Sequence, residues 1–442
     1  MSEPMKNVIL IFLTLFPILI YPTFLDYSFT TTKFFYLKWM TVAIWVYILW
    51  QLLRKNLTPR WNTTTFLAGS FLFLIALSTL FSVDPSTSYV GASGRLEGLI
   101  AWVGYITLFL FVYLFFSEKE DRRLLSYITF VSGLVAIYAI LQHFHLDFLP
   151  RTTHAQGWAR SYGFFGNPNF CGSYVTIMLM IGMGFYLSTT KRSQNVYYFL
   201  LLSTLFASML YSSTRSAWVG SFIGFLFISY HVYKKKRLWK KWIALSFSFL
   251  VLFIGIGLTE DGSLVKRTFG LVEEGKQVIE GNQHAGLSRL YIWKNALPLI
   301  PEYMWLGSGP DTFAEVFPDR PEEKRIYFSG NEDIIVDKAH NEYLQLAVTM
   351  GIPALVMYLI LVSTTLIKCM HILQNLNYAQ QSFLEAGIIA ALIAYVVQAF
   401  FNISVITVAP FFWVLLGMLN RKVTKTEHTT YSTGFLNLNE GK

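Results

Sequence analysis

Charge is scarce in this chain. Of its 442 residues only 14% are Asp, Glu, Lys or Arg, while 54% are hydrophobic. A soluble domain carries about 25% charged residues, so a water-exposed fold of this size has too little polar surface to cover itself. Cysteine is scarcer still. Cys171 and Cys369 are the only two, and they form no ligand pattern, which argues against a disulfide framework or a thiolate metal site. No DxD, no HExxH and no close His/Asp/Glu set occurs. Glu322-Glu323 and Glu332-Asp333 are adjacent pairs in polar sequence, where solvation accounts for them, so no metal or other cofactor is expected. Internal repeats and low-complexity runs are absent as well.

What fills the chain is long apolar segments. A run of about 20 apolar residues crosses a bilayer as a helix. Twelve such spans are expected, at 7–25, 34–53, 64–82, 98–116, 124–143, 169–188, 195–212, 216–233, 240–258, 342–367, 382–402 and 404–420. The first is read as a span rather than a signal peptide, because no small-residue cleavage site follows it. The fold class is therefore an all-α polytopic membrane protein. Its expected organisation is spans one to nine over 1–258, a loop subdomain over 259–341, spans ten to twelve over 342–420, and a cytoplasmic tail over 421–442. The tail, rich in Thr, Asn and Lys, reads as disordered.

Lys and Arg orient the bundle. With the N-terminus inside, the inner loops carry Arg54, Lys55 and Arg60, then Lys119, Arg122 and Arg123, then Lys191 and Arg192, then the run YKKKRLWKK (Tyr233–Lys241). The net charge of +9 is thus a topology signal beside anionic membrane lipid, and no nucleic-acid partner is implied. The segment 259–341 falls outside. It is too long for a connector and reads as a small folded unit.

Arginines in the outer loops run against this bias. Arg95 lies in GASGRLEG, Arg151 and Arg160 precede FFGNPNF (Phe164–Phe170), Arg215 lies in SSTRSAW, and Arg289 lies in GLSRLYIW. A guanidinium fork matches phosphate oxygens bidentately, while snorkelling or ion pairing is the plainer account of each one alone. Arg95 has a nearby candidate partner in Glu97; Arg215 has no acidic residue close in sequence. His340 ends the large loop in DKAHNEYLQLAVTMGIPA. It is either an interfacial helix cap or a general base. A helix N-terminus and arginines would lower its pKa, whereas Asp337 and Glu342 would raise it, so sequence leaves the sign open. In LGSGPDTF (Leu306–Phe313), Asp311 is a candidate helix cap.

These residues resemble the O-antigen ligase and polymerase superfamily of bacterial envelope glycan enzymes. AHNEYLQLAVTMGIPA is similar to the signature H-N/S-x-x-L-x(6)-G, with His340, Asn341, Leu344 and Gly351 in register. SRLYIWKNALPLIPEYMWLGSGPDTF resembles the outer-loop stretch from an arginine to G-x-G-x-x-x-F. FFGNPNF and SSTRSAWVG resemble two further segments, and the likeness covers roughly 80–420. The resemblance implies a metal-independent, inverting-type GT-C glycosyltransferase in the cytoplasmic (inner) membrane with its site facing outward. The donor would be an undecaprenyl-diphosphate-linked glycan and the acceptor a hydroxyl of unknown origin. Arg215 and Arg289 would hold the diphosphate and His340 would activate the acceptor. Arg95, Arg151, Arg160, Asn167 and Asn341 are further candidate contacts. A polymerase joining lipid-linked repeats is the alternative within the class. An anion transporter is the alternative outside it, though the broken helices and inverted repeats a transporter needs are not seen. A non-catalytic scaffold would have no use for His340.

Overall fold

A computed structural model describes residues 3–20, 29–55, 62–149, 160–259, 287–328, 331–375 and 382–439. Among them the chain is helical throughout, with no strand. In chain order the helices are α1 (Glu3–Leu15), α2 (Phe29–Leu53), α3 (Thr63–Leu80), α4 (Pro85–Val90), α5 (Leu99–Phe115), α6 (Glu118–His143), α7 (Pro168–Ser188), α8 (Arg192–Ser212), α9 (Arg215–Tyr233) and α10 (Trp239–Thr259). Then come α11 (Leu287–Ala296), α12 (Leu299–Glu302), α13 (Phe313–Val316), α14 (Pro321–Tyr327), α15 (Glu342–Thr349), α16 (Gly351–Asn375), α17 (Ser382–Ala399) and α18 (Ala409–Asn439).

Among the described residues eight helices are long and apolar enough to cross a membrane: α2, α3, α6, α7, α8, α10, α16 and α17. Helices α1, α5, α9 and α18 stand where the other four spans are expected but are not among the eight. The chain is a multi-pass membrane protein.

Helix α7 is the centre of the bundle. Nearly every side chain from Cys171 to Leu187 is buried. Its neighbours come close because small residues face each other. A Cβ on Gly184 would meet Phe383 O at 2.8 Å, and one on Gly387 would meet the Gly184 Cα at 2.8 Å. Gly220 and Gly224 of α9 abut the backbone carbonyls of Ala394 and Ala390 in the same way. Without a hydrophobic driving force inside lipid, such close backbone packing and interhelical hydrogen bonds hold membrane helices together. Here the bonds include Gln398 and Asn402 donating to Ser173 Oγ at 2.7 and 3.0 Å. At the helix ends remote from α11–α15, ion pairs join α1 to α6 (Lys6–Glu120, 3.0 Å), α6 to α18 (Asp121–Arg421) and α17 to α18 (Lys422–Glu385, 2.7 Å).

Helices α11 to α15 form a second, smaller core of Tyr291, Ile292, Phe313, Phe317, Val336, Ala339, Leu344 and Val348. This corrects the expected span at 342–367. Leu344 and Val348 belong to the subdomain, and the membrane-length helix begins only at Gly351. The break is built into the backbone. Gly351 has φ +83°, and a Cβ there would meet Trp305 O at 2.6 Å, so a residue with a side chain is refused on both counts. Hydropathy alone ran the two helices together.

The subdomain is stapled to the bundle. Val83 N donates to Ser308 O at 2.9 Å, Ser82 Oγ to Ser308 O at 2.9 Å, and Ser78 Oγ to Thr349 O at 3.0 Å. The expected disordered tail is also corrected, because α18 runs on to Asn439.

Candidate active site

The junction between subdomain and bundle holds a cavity of ≈ 610 Å³. One side is the turn before α7, with Arg160, Asn167 and Asn169. The other is the start of α11, with Ser288 and Arg289, and the segment leading to His340. The N-terminus of α7 opens on it. Asn167 caps that helix by accepting from Asn169 N at 2.8 Å, and Pro168 occupies the first helical position, where no amide hydrogen is needed. The positive end of a 21-residue helix therefore borders a cavity lined by arginines, a setting that favours an anion.

His340 sits in the left-handed backbone region at φ +49°. The segment before it is held in place: Ala339 N donates to Gln345 Oε1 at 2.8 Å, and Trp293 Nε1 donates to Ala339 O at 2.9 Å. Asn341 follows as the N-cap of α15 and accepts from Leu344 N at 3.1 Å. The electrostatic sign left open by sequence is resolved. Burial, then the charges of Lys338 and Arg289, push the imidazole down to about 3; Asp337 opposes them without prevailing. His340 is neutral at physiological pH.

The remaining expected residues divide. Arg289, Arg160 and Asn167 line the cavity with His340. Arg160 is also a brace, donating to Ser212 O at 3.0 Å, Asn169 Oδ1 at 3.0 Å and Thr214 Oγ1 at 3.3 Å. It thereby ties the start of α7 to the turn that carries Arg215, the first residue of α9. Arg215 itself is not on the cavity wall. The carbonyl of Asn341 is spent on its cap. Arg151 lies outside the described residues.

Arg95 has a different partner from the one expected. Its Nε donates to Asp311 Oδ1 at 2.6 Å, and its other end reaches Asp337, whereas Glu97 accepts from Tyr105. Asp311 is correspondingly not a cap of α13, whose N-cap is Thr312. Its second oxygen accepts from Ala92 N at 2.7 Å and Glu97 N at 3.2 Å. A cap is a local guess, and this contact joins positions more than two hundred residues apart. Sequence reading weighed Asp337 only as a charge acting on His340 and passed over Lys338; both line the cavity. The signal was present, in a lysine two residues before His340. Among the described residues no three His, Cys, Asp or Glu side chains gather as metal ligands.

No curated protein matches the chain. Residues 199–359 match the sequence model of the family described as O-antigen ligase. The match takes in Arg215, Arg289 and His340 and leaves Arg95, Arg160 and Asn167 outside it. It is narrower than the stretch over which the motifs resemble the family, and it supports the resemblance to the O-antigen ligase and polymerase superfamily.

Proposed function

We propose that the chain transfers a glycan from undecaprenyl diphosphate to an acceptor hydroxyl at this cavity, on the outer side of the cytoplasmic membrane. The observation that carries the reading is the convergence of His340 and Arg289 on one cavity that the N-terminus of α7 also borders. A neutral imidazole beside fixed positive charge suits an acid–base role opposite an anionic leaving group.

The acceptor oxygen attacks the anomeric carbon, and the bond from that carbon to the diphosphate oxygen breaks. His340 takes the hydroxyl proton, and the diphosphate leaves with the bonding electrons. A single in-line displacement inverts the anomeric centre. Negative charge grows on the leaving oxygen as the bond breaks, so Arg289 on the cavity wall stabilises the transition state more than the ground state, while Arg215, off that wall, keeps its proposed diphosphate role on the family motif alone. Loss of one such contact typically costs ~10²–10³ in rate. A bound diphosphate also offsets Lys338 and Arg289 and restores basicity to His340 at the step that needs it. This chemistry asks for no metal, so activity persists in excess chelator.

The test is reconstitution of the purified chain with a defined lipid-linked glycan. Transfer to an added hydroxyl acceptor is expected. Joining of two lipid-linked repeats instead would make the chain a polymerase. No transfer to either kind of acceptor, with anion flux across the vesicle membrane, would replace the enzyme with a transporter.

A further inference from the structure

One wall of the cavity is the segment that ends at His340, and Asp337 and Lys338 are its charged residues there. Lys338 Nζ donates to Asp337 Oδ2 at 3.1 Å. Their side chains keep 23% and 39% of their accessibility, so the pair is half-buried on the cavity wall. An ion pair between sequence neighbours braces no two elements of the fold. Holding the fold does not explain the lysine. Asp337 is also shared: Arg95 Nη1 lies 3.7 Å from the same carboxylate oxygen and donates to the Asp337 carbonyl at 3.2 Å. The carboxylate therefore keeps a cationic neighbour if Lys338 turns away.

We propose that Lys338 is a further donor-binding residue, one that rests on Asp337 and passes its ammonium to a phosphate oxygen when the diphosphate enters. The inference builds on the reading of the cavity as a diphosphate site. An ammonium on a four-carbon stem is a mobile point charge, unlike a planar guanidinium, and suits an exchange of partners. Asp337 is then an internal competitor. It occupies the lysine and repels the incoming anion, so neighbouring substitutions act in opposite directions.

The measurement is equilibrium binding of geranyl diphosphate to the full chain in nanodiscs. Lys338→Gln is expected to weaken binding ~10-fold, the loss of one charge-assisted contact, and Lys338→Arg to retain most of it. Asp337→Asn is expected to tighten binding severalfold. The double variant Asp337→Asn/Lys338→Gln stays as weak as Lys338→Gln, because the phosphate has still lost its cation. If the pair only shapes the loop, both single variants weaken binding and the double variant regains wild-type affinity; that pattern overturns the proposal, as does wild-type affinity in Lys338→Gln. Arg289→Gln separates the two levels. Weakening there without weakening in Lys338→Gln removes Lys338 alone, while no binding by the wild-type chain removes the diphosphate reading with it.

Discussion

His340 holds its imidazole on a left-handed backbone between two cationic neighbours, and the pH dependence of turnover tests what they do to it. In the free protein the group is pushed down to about 3, and protonation would abolish its action as a base. The acid limb of kcat/KM reports the free enzyme and that of kcat the loaded one. A bound diphosphate raises the imidazole pKa, so the acid limb of kcat should lie at higher pH than that of kcat/KM. Coincident limbs would mean that the donor leaves His340 untouched. His340→Ala should keep donor affinity and lower transfer by ~10²–10⁴; a rate defect fully explained by weak donor binding would make it a binding residue. Arg289→Lys keeps charge but loses the fork, and severe loss of transfer with normal insertion is expected. The same holds for Arg215→Lys, although Arg215 stands off the cavity wall. Near-normal turnover in either variant would reduce that position to general positive charge.

At the level of elements, α15 is where a cap and a catalytic candidate meet. Asn341→Ala removes the bond to Leu344 N and should cost about 1 kcal/mol. Asn341→Asp supplies the same acceptor and should restore both stability and turnover. Restored stability without turnover would make the amide itself a substrate contact. Gly351→Ala should be more damaging, since φ +83° and the Trp305 carbonyl at 2.6 Å both exclude a side chain. A thermal melt at the wild-type temperature would show that the break between α15 and α16 is not enforced there.

Helix positions were legible because apolar length is a local property: eight of the expected spans fall on helices long and apolar enough to cross a membrane. The break before Gly351 was not legible, because hydropathy continues across it and only the packed Trp305 carbonyl reveals it. Asp311 was misread for a related reason. Its partners lie in the loop before α5, and nothing local announces them. Arg289 and His340 could be picked out by charge against topology and by motif, whereas Lys338 was lost among ordinary loop lysines until the cavity wall was seen.

For the whole molecule, the orientation rests on where lysine and arginine fall, and thiol labelling checks it. Cys171 and Cys369 are both buried, which keeps the background low. A cysteine replacing exposed Lys240 should be shielded from an impermeant reagent in intact cells, and one replacing exposed Glu322 should react. The reverse pattern would invert the bundle. Packing can be probed at the α7–α17 contact. Gly387→Leu places a side chain against the Gly184 Cα, 2.8 Å from a bare Cβ, and overpacking of this kind costs about 1–3 kcal/mol or more. Unchanged detergent stability would mean that the helices do not rely on this approach.

The sheathing of α7 bears on how the protein meets bilayers of different thickness. Its apolar window is 94% buried by other helices, against 22% for α2 and for α10. Acyl chains therefore press on the outer helices, which adjust to mismatch by tilting at a modest cost per ångström, while the helix whose N-terminus borders the cavity is screened from them. Turnover in vesicles of graded acyl length should stay nearly flat, and spin labels on α2 should report the tilt that α7 does not share.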